Sequence, residues 1–158
     1  MKNKIVTGIF LGCVSSLVIS CNEQAAAPMI DKDQVKKDIQ ARENEFAAVY
    51  NGGQIKNIGY YSDSAISYFP NRTPLIGKQA IVDYLASDLD SNTDKISFNT
   101  NEVFVSKDGN QVLEIGSFKL VDSANTTINS GNYMSLFEKR DDKYVCLRDM
   151  SASELPIK

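Results

Sequence analysis

The fold class is decided by the stretch Lys95–Met150, which reads KISFNTNEVFVSKDGNQVLEIGSFKLVDSANTTINSGNYMSLFEKRDDKYVCLRDM. Apolar and polar residues alternate with a period of two in four runs, Ile96–Val105, Gln111–Val121, Asn132–Lys139 and Lys143–Met150. Such alternation is typical of β-strands, and the short Asp/Asn/Gly turns after the first and third runs are typical of hairpins. The stretch therefore predicts four antiparallel strands in chain order.

The preceding part of the chain is predicted to be mainly helical. Apolar residues at helical spacing predict a first helix over Asp31–Asn51, which a Gly-Gly pair ends. A second short helix at Gln54–Tyr61, a strand at Ser64–Phe69 and a third helix over Lys78–Ser87 are predicted to follow. Helices followed by an antiparallel meander indicate an α+β domain with helices on one face of a curved sheet. The open end of such a sheet is where we expect a ligand cavity.

Arg42 interrupts the apolar stripe of the first helix. Its aliphatic stem could pack while its charge pairs with Asp38 or Glu45 at helical spacing. Alternatively, Arg42 could reach into a cavity.

The first 20 residues have the features of a signal peptide. Two Lys precede an uncharged run of about 15 residues, which as a helix spans about 23 Å and falls short of the ~30 Å bilayer core. The segment ends in Val18-Ile19-Ser20-Cys21, which resembles a bacterial lipobox. The resemblance implies cleavage before Cys21, a lipid on its thiol, a tether over residues 21–30 and a domain over 31–158. It also implies the bacterial cell envelope, at the outer rather than the inner membrane, with the domain in the periplasm or at the cell surface. An ordinary secretory signal with a chance Cys is the alternative.

Composition excludes several classes of function. The 158 residues contain no His, so a Ser-His-Asp triad and a His-ligated metal site are impossible. A net charge of −3 argues against a nucleic-acid partner, which needs a basic face. No calcium-loop spacing and no Gly-rich phosphate loop occurs, so we expect no metal and no cofactor. Cys146 would be the lone thiol of the domain, a buried small hydrophobe without a disulfide.

Short motifs in their order resemble the nuclear transport factor 2-like, SnoaL-like superfamily, in its branch of domains of unknown function. The segments that carry the resemblance are Phe46–Gly53, Tyr60–Ala65, Ile76–Ile81, Gly116–Phe118, Gly131–Tyr133 and Arg148–Ser151. The resemblance implies a cone-shaped, cystatin-like fold, in which a curved, mainly antiparallel sheet wraps around N-terminal helices. Its members include ketosteroid isomerases, polyketide cyclases, dehydratases and non-catalytic binding or assembly proteins, so the fold does not decide the function. Ser64 stands where a second Asp is usual, which weakens the transfer of acid–base chemistry to that turn.

Three carboxylates are candidate pocket residues. By resemblance, Asp63 would stand at the cavity rim before the first strand, or it could simply cap a turn. Glu114 shares a strand face with apolar residues, which either lines the cavity or forms the outer, dimer-facing side of the sheet. Asp149 alternates in phase with Val145 and Leu147, and it could reach the cavity or pair with a basic neighbour.

Three phenols complete the candidate set and allow three hypotheses. Tyr61, Tyr68 and Tyr133 could each offer a hydroxyl to a ligand. The first hypothesis is a membrane-tethered domain that binds a small hydrophobic ligand without catalysis and forms a homodimer through its outer sheet face. The second is an isomerase, cyclase or dehydratase with a carboxylate base and a Tyr acid; the third is an envelope protein-interaction module. Convergence of two such acidic and Tyr side chains in a closed apolar cavity would favour an enzyme, whereas an open or filled cavity without them would favour binding or assembly.

Overall fold

A computed structural model describes residues 30–91 and 93–155. The predicted signal peptide, Cys21 and the tether other than Ile30 lie outside these residues. The elements are α1 Lys32–Asn51, β1 Tyr61–Tyr68, β2 Leu75–Ile76, α2 Lys78–Ser91, β3 Lys95–Val105, β4 Gln111–Val121, β5 Thr127–Arg140 and β6 Lys143–Ser153. None of the helices in the described ranges is long and apolar enough to cross a membrane.

The α+β architecture is confirmed. Six strands form one sheet in the order β2-β1-β6-β5-β4-β3, in which only the β1–β6 pair is parallel. The core lies between the inner face of this sheet and the two helices. The four-strand meander is confirmed, but β5 begins at Thr127 rather than Asn132, and β6 ends at Ser153 rather than Met150.

The predicted second helix at Gln54–Tyr61 is wrong. A single 3-10 turn forms at Ile55–Asn57, and Tyr61 already belongs to β1. Glycines on both sides leave a segment too short to offset the cost of helix nucleation. The Tyr60 carbonyl instead accepts the Cys146 N–H, at 2.8 Å, so the chain passes directly from the turn into the sheet.

Helix α1 presents an apolar stripe to the sheet. Asp31 caps its N-terminus, since one carboxylate oxygen accepts the backbone N–H groups of Asp33 and Gln34, each at 3.0 Å. The buried face of α1 packs mainly against β3. The helix therefore covers the inner face of the sheet at β3.

A β-bulge in β6 changes which side chains face inward. Cys146 pairs with Phe137 and Arg148 pairs with Leu136, so Leu147 is an extra residue between them. The extra residue reverses the alternation beyond it. Asp149 consequently faces inward with Cys146, whereas strict alternation had placed it in phase with Leu147. Cys146 itself is a fully buried free thiol.

The outer sheet face carries apolar side chains in register. Ile115, Met134 and Met150 lie beside one another on β4, β5 and β6, and Phe104 pairs with Leu113. Phe104 and Met150 are about half exposed, at 51% and 53%. The homodimer expected at this face stays a prediction, and a monomeric mass in sedimentation equilibrium would contradict it.

Candidate functional site

A cavity of about 280 Å³ opens between the inner sheet face, α1 and α2. Ten of the 21 residues that line it are aromatic, so its walls are mainly rings. They come from both helices, from β1 and its flanks, and from β3, β4 and β5; the buried ones are Phe46, Tyr50, Tyr60, Tyr61 and Tyr133. The volume lies near the lower end of the ~300–1,000 Å³ typical of small-molecule sites.

Two carboxyl groups meet at the floor of the cavity. Glu43 comes from α1 and Glu114 from β4, and both are buried, at 1% and 0% exposure. Glu114 Oε1 accepts the hydroxyls of Thr100 and Tyr133, at 2.6 and 2.8 Å. The Tyr60 hydroxyl donates to Glu43. The polar floor is thus held by strands β3, β4 and β5 and by helix α1.

The floor pair retains a proton more readily than exposed carboxyls do. Burial, and then the charge of Glu114, raise the pKa of Glu43 well above its ordinary value. Burial also raises the pKa of Glu114, although hydrogen bonds from Thr100 and Tyr133 oppose the shift. A proton held by Glu43 can be donated to Glu114, whose Oε2 is shielded from solvent and has no other partner. The two groups therefore titrate as a pair.

A third carboxyl group, that of Asp149, forms part of the cavity wall. Its Oδ2 accepts the Tyr61 hydroxyl at 2.8 Å, and Ser67 lies beside it at the same register position of β1. Its Oδ1 is shielded from solvent and has no hydrogen-bond partner. Burial raises the pKa of this carboxyl, opposed by hydrogen bonds from Ser67 and Tyr61. Asp149 thus lines the cavity with a carboxyl group that is bonded to Tyr61.

Four of the six phenols that line the cavity donate to acids. Besides Tyr60, Tyr61 and Tyr133, the Tyr50 hydroxyl donates to Asp88 at 2.6 Å. A phenol has one proton to donate, so these four hydroxyls can offer a ligand only their lone pairs. No Lys or Arg belongs to the described lining. These four phenols therefore present lone pairs and ring faces to the cavity.

Solved structures with the same architecture identify the fold. No family model and no curated protein matches the chain in sequence. A Nostoc punctiforme domain of unknown function with a cystatin-like fold aligns with a TM-score of 0.66 at 15% identity, over 80% of this chain and 79% of that one. An NTF-2 like protein of unknown function from Shewanella oneidensis aligns at 0.63 and 18%, over 74% and 98%. This chain has the cystatin-like, nuclear transport factor 2-like fold. A ketosteroid isomerase-like protein from Erwinia carotovora atroseptica shares that fold, with a TM-score of 0.62 at 14% identity over 78% and 99%.

The cystatin-like domain brings most of the predicted site residues together. Tyr61, Tyr133 and Asp149 line the cavity, and Glu114 lies directly behind its floor. Since Glu114 is fully buried on the inner face, its alternative placement on the outer face is wrong. Tyr68 lies at the mouth and is 42% exposed.

Asp63 lies outside the cavity. It is an exposed residue within β1, whereas the sequence had placed it before the first strand at the rim. It lines a separate surface depression together with Lys56 and Lys78. The reason is that β1 begins three residues earlier than predicted, so Asp63 lies within the strand instead of before it.

Glu43 was missed by the sequence reasoning. It follows Ile39 by four residues and precedes Phe46 by three, so helical spacing places it in the centre of the buried stripe. The sequence analysis considered Arg42 instead, and its predicted ion pair with Glu45 is confirmed. Its guanidinium bonds Glu45 and the Gly59 carbonyl, and it does not line the cavity.

A glycine in β4 provides the space that Tyr133 needs. A Cβ atom on Gly116 would lie 2.2 Å from Tyr133 Cζ, far inside contact distance. Gly116 and Tyr133 pair directly across β4 and β5, and the ring lies over the glycine. The lack of a side chain at this position lets Tyr133 reach Glu114.

Proposed function

We propose that this cystatin-like domain binds a small, largely apolar organic molecule in its cavity, as part of an envelope lipoprotein. The observation that carries the proposal is the cavity of about 280 Å³ itself, in which ten aromatic residues and the carboxyl groups of Glu43 and Asp149 line one space. Aromatic walls supply the apolar surface that favours transfer of such a molecule from water.

Acid–base catalysis on a carbonyl compound is the second candidate. The raised pKa and free oxygen of Asp149 suit a general base at neutral pH. Such chemistry also needs a donor for the oxyanion. Four of the lining phenols already donate to carboxyls, so any of these four would first have to give up its present partner to act as the acid. Binding without turnover requires no such rearrangement, and we favour it.

Binding is tested by filling the cavity. Ser151 lines the cavity from β6, so Ser151→Phe should weaken the binding of single-ring aromatic compounds by at least about tenfold. The measurement is isothermal titration calorimetry on the purified full-length chain, with neutral and charged compounds. Ala152→Phe is the matched control, because Ala152 is the next residue along β6 and is exposed. Equal affinities in the two variants, or no binding by the parent chain, would exclude the cavity as the site.

The membrane anchor rests on Cys21 and the preceding residues of the lipobox pattern. If the thiol carries the lipid, Cys21→Ala should move the protein from the membrane to the soluble fraction of a bacterial host. Ser20, the small residue before the cut, offers a control, since Ser20→Ala keeps the small side chain and should stay membrane-bound. A Cys21→Ala protein that fractionates with the membrane like its parent would contradict the anchor.

A further inference from the structure

The cavity described above collects acceptors and acids without basic partners. Glu43 and Asp149 line it, Glu114 lies behind its floor, and none of the lining residues in the described ranges is Lys or Arg. We propose that the natural ligand is an organic cation, an amine or quaternary ammonium group carried on an apolar frame. This inference rests on the proposed function, because it names the chemical class that the same cavity takes.

Electrostatics favour a positive charge in this cavity. Burial takes each carboxyl away from water, and Asp149 and Glu114 both act on Glu43 as like charges that raise its pKa. A cation in the cavity would offset this repulsion and favour the ionised form of Asp149. An anionic ligand would increase the same repulsion and would meet no cationic side chain in the described lining.

The hydrogen-bonding groups point to the same class. A carbonyl or carboxylate ligand needs donors, but the hydroxyls of Tyr50, Tyr60, Tyr61 and Tyr133 are all directed to acids. An ammonium N–H, by contrast, can bond the carboxyl of Asp149 and the lone pairs of the phenols. This part of the lining is therefore complementary to a donor.

The walls offer ring faces as well as carboxylates. Tyr60 and Tyr61 meet edge to face at 4.9 Å between centroids, and Phe98 and Tyr133 do so at 5.4 Å, so neighbouring rings are turned in different directions. Ring faces attract cations, most strongly where water is excluded. Tyr84, another lining residue, already holds a cation of this chain, since the Arg72 guanidinium carbon lies 4.0 Å from its ring centroid.

The acidic residues around the cavity are not arranged as a metal site in the described part of the chain. Within residues 30–91 and 93–155, no group of three or more His, Cys, Asp or Glu side chains is placed to hold a metal. The acids are instead distributed between floor and wall, at Glu43, Glu114 and Asp149, with rings between them. This distribution fits an extended organic cation better than a compact metal ion.

Four single-ring probes that differ in charge test the inference. They are 2-phenylethylamine, benzyltrimethylammonium, 2-phenylethanol and phenylacetate, titrated calorimetrically into the purified full-length chain at pH 7. We expect both cations to bind at least about tenfold more tightly than the alcohol, and phenylacetate to bind most weakly. An alcohol that binds as tightly as the cations would overturn this inference and leave the proposed binding function standing. Absence of binding by all four probes would overturn both.

A pair of variants tests whether Asp149 causes the preference for cationic probes. Asp149→Asn keeps the shape and removes the charge, so the preference for 2-phenylethylamine over 2-phenylethanol should fall by at least about fivefold. Asp63→Asn makes the same chemical change on the exposed side of β1 and should keep the preference. Circular dichroism checks that both variants fold. A preference that survives in Asp149→Asn would show that Asp149 does not recognise the charge; should that variant not fold, the ranking of the probes on the parent chain still decides.

Discussion

The free energy of unfolding at pH 5 should exceed that at pH 7 by about 2 kcal/mol. In the folded chain, burial raises the pKa of Glu43, Glu114 and Asp149, whereas in the unfolded chain these groups ionise near their ordinary values. Between the unfolded and the folded pKa, the folded state holds more protons. Stability therefore falls as the pH rises through this window and is greatest below it. Asp108 acts in the opposite sense, but it is exposed and its influence is screened.

Glu43→Gln measures how much of this pH dependence comes from the pair Glu43 and Glu114. The Gln amide can still accept the Tyr60 hydroxyl and donate to Glu114, but it cannot ionise. Urea unfolding at pH 5 and pH 7 should show a difference smaller than the ~2 kcal/mol expected of the parent, with higher stability at pH 7. The matched control is Glu102→Gln on the exposed edge of β3, which should retain the slope of the parent. A parent chain that gains stability as the pH rises from 5 to 7 would refute the linkage.

Gly116→Ala should destabilise the domain by about 3 kcal/mol. The new Cβ would lie 2.2 Å from Tyr133, so the ring must move and its hydroxyl would lose Glu114. The cost combines overpacking with a weakened buried hydrogen bond. Thermal or urea unfolding measures this loss of stability.

Gly59→Ala serves as the control for this substitution. A Cβ atom on Gly59 would meet Glu45 at 3.8 Å, which is an ordinary contact. Gly59→Ala should change the free energy of unfolding by less than about 1 kcal/mol, and the change should be a stabilisation because alanine makes the unfolded chain less flexible. If Gly116→Ala and Gly59→Ala lower the free energy of unfolding equally, the close packing of Tyr133 over Gly116 does not stabilise the cavity floor.

The sequence predicted the architecture well because alternation and turn residues act locally. The strands of Lys95–Met150 and the helix at Asp31–Asn51 show periodic patterns that need no tertiary information. The second helix at Gln54–Tyr61 failed for a different reason. Its extent depended on whether Tyr61 would pair with β6, and pairing between distant strands is not visible in local spacing.

The site was predictable where burial alone determines it. Glu114 could be placed on an apolar strand face, and Glu43 could have been found by the same reasoning on α1. The inward position of Asp149 could not, because the bulge at Leu147 reverses the alternation and leaves no clear mark in the sequence. Asp63 was misplaced because its position was inferred from a motif whose second Asp is missing here.

The phenols that donate to acids also give the domain an optical property. The chain has no Trp and seven Tyr, so its near-ultraviolet emission comes from tyrosine. A phenol bonded to a carboxylate loses its proton readily in the excited state, which quenches ordinary tyrosine emission. Tyr60, Tyr61 and Tyr133 are held in such bonds around the cavity. A ligand that draws these carboxyl groups towards itself should therefore raise the tyrosine emission, and fluorescence of the unmodified chain would then report the proposed binding.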